Sequence, residues 1–186
     1  MSALILTLIV LVTLLGGFIF IYNSLVKLRQ MTENGWSDID VQLKRRADLI
    51  PQIVRAVSAY ASHEKNLFSE IVEKRNAALS AGDNEKDRAR AETALSQPVS
   101  RLLALAEDYP DLKANENFLD LQNELSETEN KIEMSRRFYN GAVRELNTKV
   151  QSIPSNIVAG LFSFKTRDYF EIAMSDAMKP ILDFDV

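Results

Sequence analysis

Twenty consecutive residues without a charge, Ala3–Tyr22 (ALILTLIVLVTLLGGFIFIY), constrain this chain more than any other feature. A helix rises about 1.5 Å per residue, so such a run spans roughly 30 Å, the thickness of a bilayer's hydrocarbon core. The competing reading is a cleaved signal peptide, which needs a basic leader and a short apolar core ending at small residues. Here no Lys or Arg precedes the run, and it ends in bulky side chains. The expectation is an uncleaved anchor over residues 1–22. Lys27 is the first charged side chain, followed by Arg29 and then Lys44, Arg45 and Arg46, all on the C-terminal side. The positive-inside rule therefore expects the N-terminus outside and the remainder in the cytoplasm. Thr13 and Gly17 form a small-xxx-small pair, common in membrane helices and of little specificity.

Composition narrows the rest. Lys plus Arg number 22 against 26 Asp plus Glu, a net charge of −4, which argues against a nucleic-acid binder that works by neutralising phosphates. The chain has no cysteine and one histidine, His63. That removes thiol chemistry, disulfides and cysteine-based metal sites. Six Gly and five Pro are few for this length and favour long helices over many short strands.

Beyond the anchor, Leu25, Leu28, Thr32, Gly35, Ile39, Leu43 and Ile50 recur at three- and four-residue steps with no strong breaker, so the membrane helix is expected to continue into the domain. Asp48-Leu-Ile-Pro51 reads as a stop and restart, since Pro suits the first turn of a helix. A second helix then runs from Pro51 to about Leu79, with Ile53, Val57, Tyr60, Leu67 and Ile71 inward. Ser80–Asn84 is a turn with Gly82 as C-cap and Asp83 as the next N-cap. A third helix runs to about Asp108 around Pro98, and residues 109–115 connect it to a fourth, about Glu116 to Gln151. The fourth has a near-heptad seam: Phe118, Leu121, Leu125, Thr128, Ile132, Ser135, Tyr139, Ala142, Leu146 and Val150. A bundle core is the ordinary meaning of this spacing, and a groove for a partner helix is the alternative. The expected fold is all-α: a single N-terminal transmembrane helix continuing into an antiparallel bundle of four long helices over 23–153. The tail, 154–186, begins at the membrane-proximal end if short turns make neighbours antiparallel. Its apolar and aromatic residues, Ile157 to Phe170, either fold back as core or meet the lipid interface.

Enzymatic chemistry finds no positive support. His63-Glu64 is half of a zinc-protease motif whose second histidine does not exist. A di-iron bundle site would need two Glu-x-x-His motifs. Glu64 falls between Tyr60 and Leu67 on the expected inward face, where it would need a cation such as Arg136 or Arg137. Such a pair would be a polar switch or, more commonly, a static register-fixing contact. Lys44-Arg45-Arg46 is short and lies among Asp38, Asp40 and Asp48, with Asp40 and Lys44 spaced as an i, i+4 pair.

In order along the chain come Tyr22-Asn23, Trp36-Ser-x-Ile39-Asp-Val-Gln-Leu-Lys-Arg-Arg46, Asp48-Leu-Ile-Pro51 and Tyr60-Ala-x-His63-Glu64. Next are Ala106-Glu-x-Tyr109-Pro-Asp-Leu-Lys-Ala-Asn115, Phe118-x-x-Leu-Gln122, Arg136-Arg-Phe-Tyr-Asn140, Asn147, Pro154 and the Phe162/Tyr169-Phe170 tail. With these motifs the chain resembles the LemA family of bacterial membrane proteins. The resemblance implies one membrane helix, a helical bundle on the cytoplasmic side, and no catalytic residue, metal or cofactor. It also implies an association with membrane proteases of the HtpX type or with TPM-domain membrane proteins. The expected function is a non-enzymatic, membrane-anchored and self-associating scaffold of the bacterial inner membrane; a regulator or adaptor of a membrane protease in envelope quality control is the alternative. Expected partners are the lipid bilayer, further copies of the chain and other membrane proteins, without nucleic acid. The candidate structural or interaction residues are Asn23, Trp36, Asp40, Arg45, Arg46, Asp48, His63, Glu64, Tyr109, Asp111, Lys113, Asn115, Arg136, Tyr139 and Asn140. Parity of the helices expects the first and third turns to share one tip, distant from the membrane.

Overall fold

A computed structural model of the chain describes residues 2–82 and 84–172. Among them every regular element is helical: α1 Ser2–Ser58, α2 Lys65–Ser80, α3 Glu85–Glu107, α4 Pro110–Lys113, α5 Glu116–Gln151 and α6 Ser155–Leu161. The expected all-α class stands, and α1 carries the apolar run and the first bundle segment as one helix.

The restart expected at Pro51 is corrected. Helix α1 continues through Pro51 to Ser58, and α2 begins only at Lys65. A proline has no N–H to give the carbonyl four residues earlier, here Ala47. Arg75 of α2 fills that gap: its Nε donates to the Ala47 carbonyl at 2.5 Å. The cost of an interior proline is thus offset by a charged donor from the next helix. The real break, residues 59–64, contains neither Gly nor Pro. Tyr60, expected inward, is exposed there, while Ile53, Val57 and Ile71 are buried as expected.

The turn after α2 is where the glycine is needed. Gly82 sits at φ 70°, in the left-handed region that a β-carbon disfavours. The cap of α3 is Asn84 rather than Asp83: its side chain accepts from the Lys86 and Asp87 amides at 3.0 Å each. Asp83 itself lies outside the described residues. Helix α5 has the expected bounds, and Asn115 caps it by accepting from the Phe118 amide at 3.2 Å.

The chain divides into two compact units, and α1 and α5 each contribute to both. The first comprises the described residues of Met1–Trp36 and Arg137–Tyr169. In it Leu25, Leu28, Leu146, Val158 and Ala159 form the core, with Tyr22, Val150 and Phe164 packed against it. Gly35 is required by close approach: a β-carbon there would lie 3.1 Å from both Phe138 Cδ1 and the Tyr139 Cα. From Leu4 to Leu15 the large apolar side chains of α1 are exposed, which is the state a lipid-facing helix requires.

The second unit comprises the described residues of Ser37–Arg136 and Phe170–Val186. Its core runs from Ile50, Ile53 and Val57 through Ile71, Leu95, Val99 and Leu102 to Leu112, Phe118 and Leu125. Asp40 and Arg46 of α1 meet Arg88 and Glu92 of α3 in the same chain order, so α1 and α3 run the same way. Arg45 and Arg46 meet Glu124 and Glu129 of α5. In the first unit the pairings of α1 with α5 run opposite ways: Leu25 and Leu28 cluster with Leu146, and Trp36, later in α1, meets Tyr139, earlier in α5. This is the up-down order that short turns dictate. Ser58, the end of α1, lies twelve residues beyond Arg46, and Glu107, the end of α3, fifteen beyond its partner Glu92, so these parallel helices finish at similar levels and the two connections lie at one end of this unit.

Candidate functional site: a buried arginine–carboxylate network

Nearly all the buried charge of the second unit converges on Arg46, of which 2% is exposed. Its position results from helical spacing: Leu43, Ala47 and Ile50 share its face and are buried. From α3, Glu92 accepts from Nη2 through its carboxylate and, at 3.2 Å, through its backbone carbonyl. From α5, Glu129 accepts from Nη1 at 3.1 Å. Ser96 Oγ lies 3.4 Å from Nη1 and itself donates to the Glu92 carbonyl at 2.9 Å. One planar guanidinium therefore ties three helices together through fork-shaped geometry that a lysine cannot reproduce.

The network extends outward. Arg88, buried, donates from Nε to Glu92 at 3.2 Å and from Nη2 to Asp40 at 3.2 Å. Asp40 also pairs with Lys44 at 2.7 Å, the i, i+4 pair expected from sequence. Three cations, Arg46, Arg88 and Lys44, face three carboxylates, Asp40, Glu92 and Glu129, so the cluster is neutral. Burial acts to lower the Arg46 pKa. The opposing pull of Glu129 and then of Glu92, through charge and hydrogen bonds, is larger and raises it overall. The arginine is thus permanently charged, and its role is positional. Among the described residues, two buried polar atoms one turn apart on α1, Gln42 Oε1 and Arg46 Nε, have no hydrogen-bond partner.

The remaining candidates are scattered around this centre. Arg45 pairs with Glu124 at 2.7 Å on the surface, and the exposed Asp48 lies 3.7 Å from Arg75. The expectation for Glu64 is corrected. It sits exposed at the start of α2 without a side-chain cap, and His63 beside it is also exposed. Arg136 instead donates to the Ile172 carbonyl at 2.9 Å. The buried charge pair expected at Glu64 exists, but around Arg46. Glu92, Glu129 and Arg88 are not among the sequence candidates. The signal that points to them is spacing: Glu129 lies next to Thr128 and four after Leu125 on the α5 seam, and Glu92 precedes Leu95 and Ser96 on the buried face of α3.

At the two-connection end, Tyr109 is partly buried against the core, Asp111 is exposed on α4, and Lys113 pairs with Glu107. Asn115 serves α5 as its cap. In the first unit, Asn23 is exposed and Asn140 partly buried. Trp36 packs on Tyr139 with ring centroids 5.6 Å apart, and the fully buried Tyr139 donates its hydroxyl to the Asp168 carbonyl at 3.0 Å. Asn147 clamps Arg167 from both sides, donating to its carbonyl and accepting from its amide at 2.8 Å each. These contacts hold the segment after α6 against α5, so the fold-back reading of the tail describes its buried residues, including Phe170. The side chains of Ile153, Ile157, Leu161 and Phe162 remain exposed.

The chain has relatives among known proteins. Residues 35–184 match the LemA family. The magnetosome protein MamQ 2 of Paramagnetospirillum magneticum is 24% identical over 175 residues, covering 81% of this chain and 64% of that protein. The magnetosome protein MamQ of Magnetospirillum gryphiswaldense is 21% identical over 174 residues, covering 80% of this chain and 64% of that protein. Protein LemA of Metamycoplasma hominis is 26% identical over 149 residues, covering 78% of this chain and 68% of that protein. The chain thus spans a little under two thirds of the length of the magnetosome relatives. With a family match over most of its length and, among the described residues, only helices and one of them apolar enough to cross a membrane, the chain belongs to the LemA family.

Proposed function

We propose that this protein is a non-enzymatic, single-pass scaffold of the bacterial inner membrane, self-associating, with its helical units on the cytoplasmic side. The observation that carries the reading is the continuity of α1: the apolar stretch and the first bundle segment are one uninterrupted helix. The buried network supports the same reading, because its charges are consumed in mutual pairing and hold α1, α3 and α5 in one register. Lys27 and Arg29, just beyond the apolar run, support a cytoplasmic location for the helical units.

The test combines mass with topology. The full chain, extracted in mild detergent and weighed by native mass spectrometry, is expected as an oligomer; a strict monomer at cellular concentration overturns the scaffold. Since the sequence has no cysteine, the substitutions Ser2→Cys and Asp111→Cys each give one label site. A membrane-impermeant maleimide on spheroplasts is expected to label the first and spare the second. The reverse pattern refutes the orientation.

A further inference from the structure

The first unit contains a cavity of about 560 Å³ between α1 and α5 that the scaffold reading does not use. Lys27, Arg144 and Lys149 line it with Glu145, so cations exceed carboxylates by two, and Ser24 and Thr148 add hydroxyls. Leu28 and Met31 give it an apolar wall. Among the described residues none of these three cations is held in an ion pair, whereas Arg29 and Arg167 nearby both meet Glu33. Unpaired cations gathered round a cleft raise its affinity for an anion.

Depth says which anion. Lys27 lies five positions after Tyr22, where the apolar stretch gives way to Asn23 and Ser24, and so roughly 7 Å further along the helix. The headgroup region extends about 5–7 Å beyond the hydrocarbon on each side. The end of α6 marks the same level independently: Phe162, the residue after it, packs on Phe18 and Tyr22 of the apolar run, with ring centroids 5.8 and 4.6 Å apart. Beside it Ile153, Ile157 and Leu161 are 83%, 69% and 68% exposed, a set of apolar side chains suited to lipid rather than water. A basic cleft at headgroup depth, with Ser152 in its lining and the exposed Ile153 next in the chain, matches an amphiphile with an anionic head.

We propose that this cleft binds the phosphate headgroup of an anionic phospholipid, with its acyl chains against the exposed apolar residues of α6 and the turn before it. Lys27, Arg144 and Lys149 neutralise the phosphate, and the Ser24 and Thr148 hydroxyls serve the polar headgroup. The proposal rests on α1 crossing the membrane, and its test separates the two.

Full-length protein in detergent, stripped of lipid, is titrated with phosphatidylglycerol, phosphatidylcholine or glycerol phosphate and read by native mass spectrometry. Phosphatidylglycerol is expected to bind at least about tenfold tighter than phosphatidylcholine, the worth of about 1.4 kcal/mol. The combined variant Lys27→Gln, Arg144→Gln, Lys149→Gln is expected to lose that preference, Lys149→Arg to keep it, and Arg55→Gln with Arg90→Gln, cations of the second unit, to leave it unchanged. Equal binding of the two lipids, a preference surviving in the combined variant, or glycerol phosphate binding as tightly as the lipid would each overturn the proposal. Flotation with phosphatidylcholine vesicles tests the anchor alone. Failure to float refutes the anchored reading and this one with it; flotation without an anionic preference refutes only this one.

Discussion

Removing Arg46 is the sharpest test of how the second unit is held. The substitution Arg46→Met keeps an unbranched side chain and deletes its charge. It strands Glu129 without its cation and leaves Glu92 with Arg88 alone, both carboxylates only 3–4% exposed. Breaking one side of a buried pair costs about 3–5 kcal/mol, because the remaining charge keeps its desolvation penalty and loses its compensation. At about 2–4 °C per kcal/mol for a chain of this size, the melting temperature should fall by about 6–20 °C. The assay is far-ultraviolet circular dichroism of the full chain in detergent. The Arg46 pKa is raised in the fold, so its contribution to the wild type is fully present below the unfolded value and is lost only above it, beyond the alkaline limit at which proteins are handled. Replacing the whole set, Arg46→Met with Glu92→Leu and Glu129→Leu, should restore most of the lost stability, since a well-packed apolar cluster matches a buried ion group. A single variant that melts within about 2 °C of wild type, or a triple variant no more stable than the single, would refute this account.

Other elements yield further expected outcomes. Arg75→Met should cost about 1–3 kcal/mol by orphaning the Ala47 carbonyl, and Pro51→Ala should recover much of it by restoring the helical donor, which a double-mutant cycle in urea measures. Gly35→Leu should shift the Trp36 fluorescence and destabilise by about 1–3 kcal/mol, because the new atoms meet Phe138 and the backbone at Tyr139; an unchanged emission spectrum and melt would contradict that. Tyr139→Phe removes the donor to Asp168 and should speed protease cleavage within residues 163–170 while costing about 1–2 kcal/mol. Asn84→Ala should lower stability by about 1 kcal/mol through loss of two amide caps, and Asn84→Ser should restore it.

Much of the helical plan is legible in the sequence because it depends on local spacing. The seam of α5, its bounds, the Gly82 turn and the unbroken passage from apolar run to bundle all depend on neighbours within a few residues. The restart expected at Pro51 fails for a reason that spacing does not contain. Proline is a strong local punctuator, but its lost hydrogen bond is supplied by Arg75, 28 residues from Ala47. The actual break, at residues 59–64, has no breaker, since it is the packing of Ala61 and of α2 that turns the chain. An inward Glu64 requires the helical period to extend past that break, so the error in the boundary carries the side chain to the wrong face.

The sequence by itself determined the chain's division into an uncharged span and a charged helical remainder, since transfer free energy depends on composition over a short window. It also determined the exclusions that no cysteine and one histidine impose. Only the tertiary structure decided which charges are buried. Arg46 looks like the third member of a solvated Lys-Arg-Arg run until Glu92 and Glu129, 46 and 83 residues away, close round it. Likewise Lys27, Arg144 and Lys149 are ordinary surface cations until α1 and α5 bring them to one cleft. Charge in water costs little wherever it lies in the sequence. Its consequences arise from the partners and the depth that folding assigns to it.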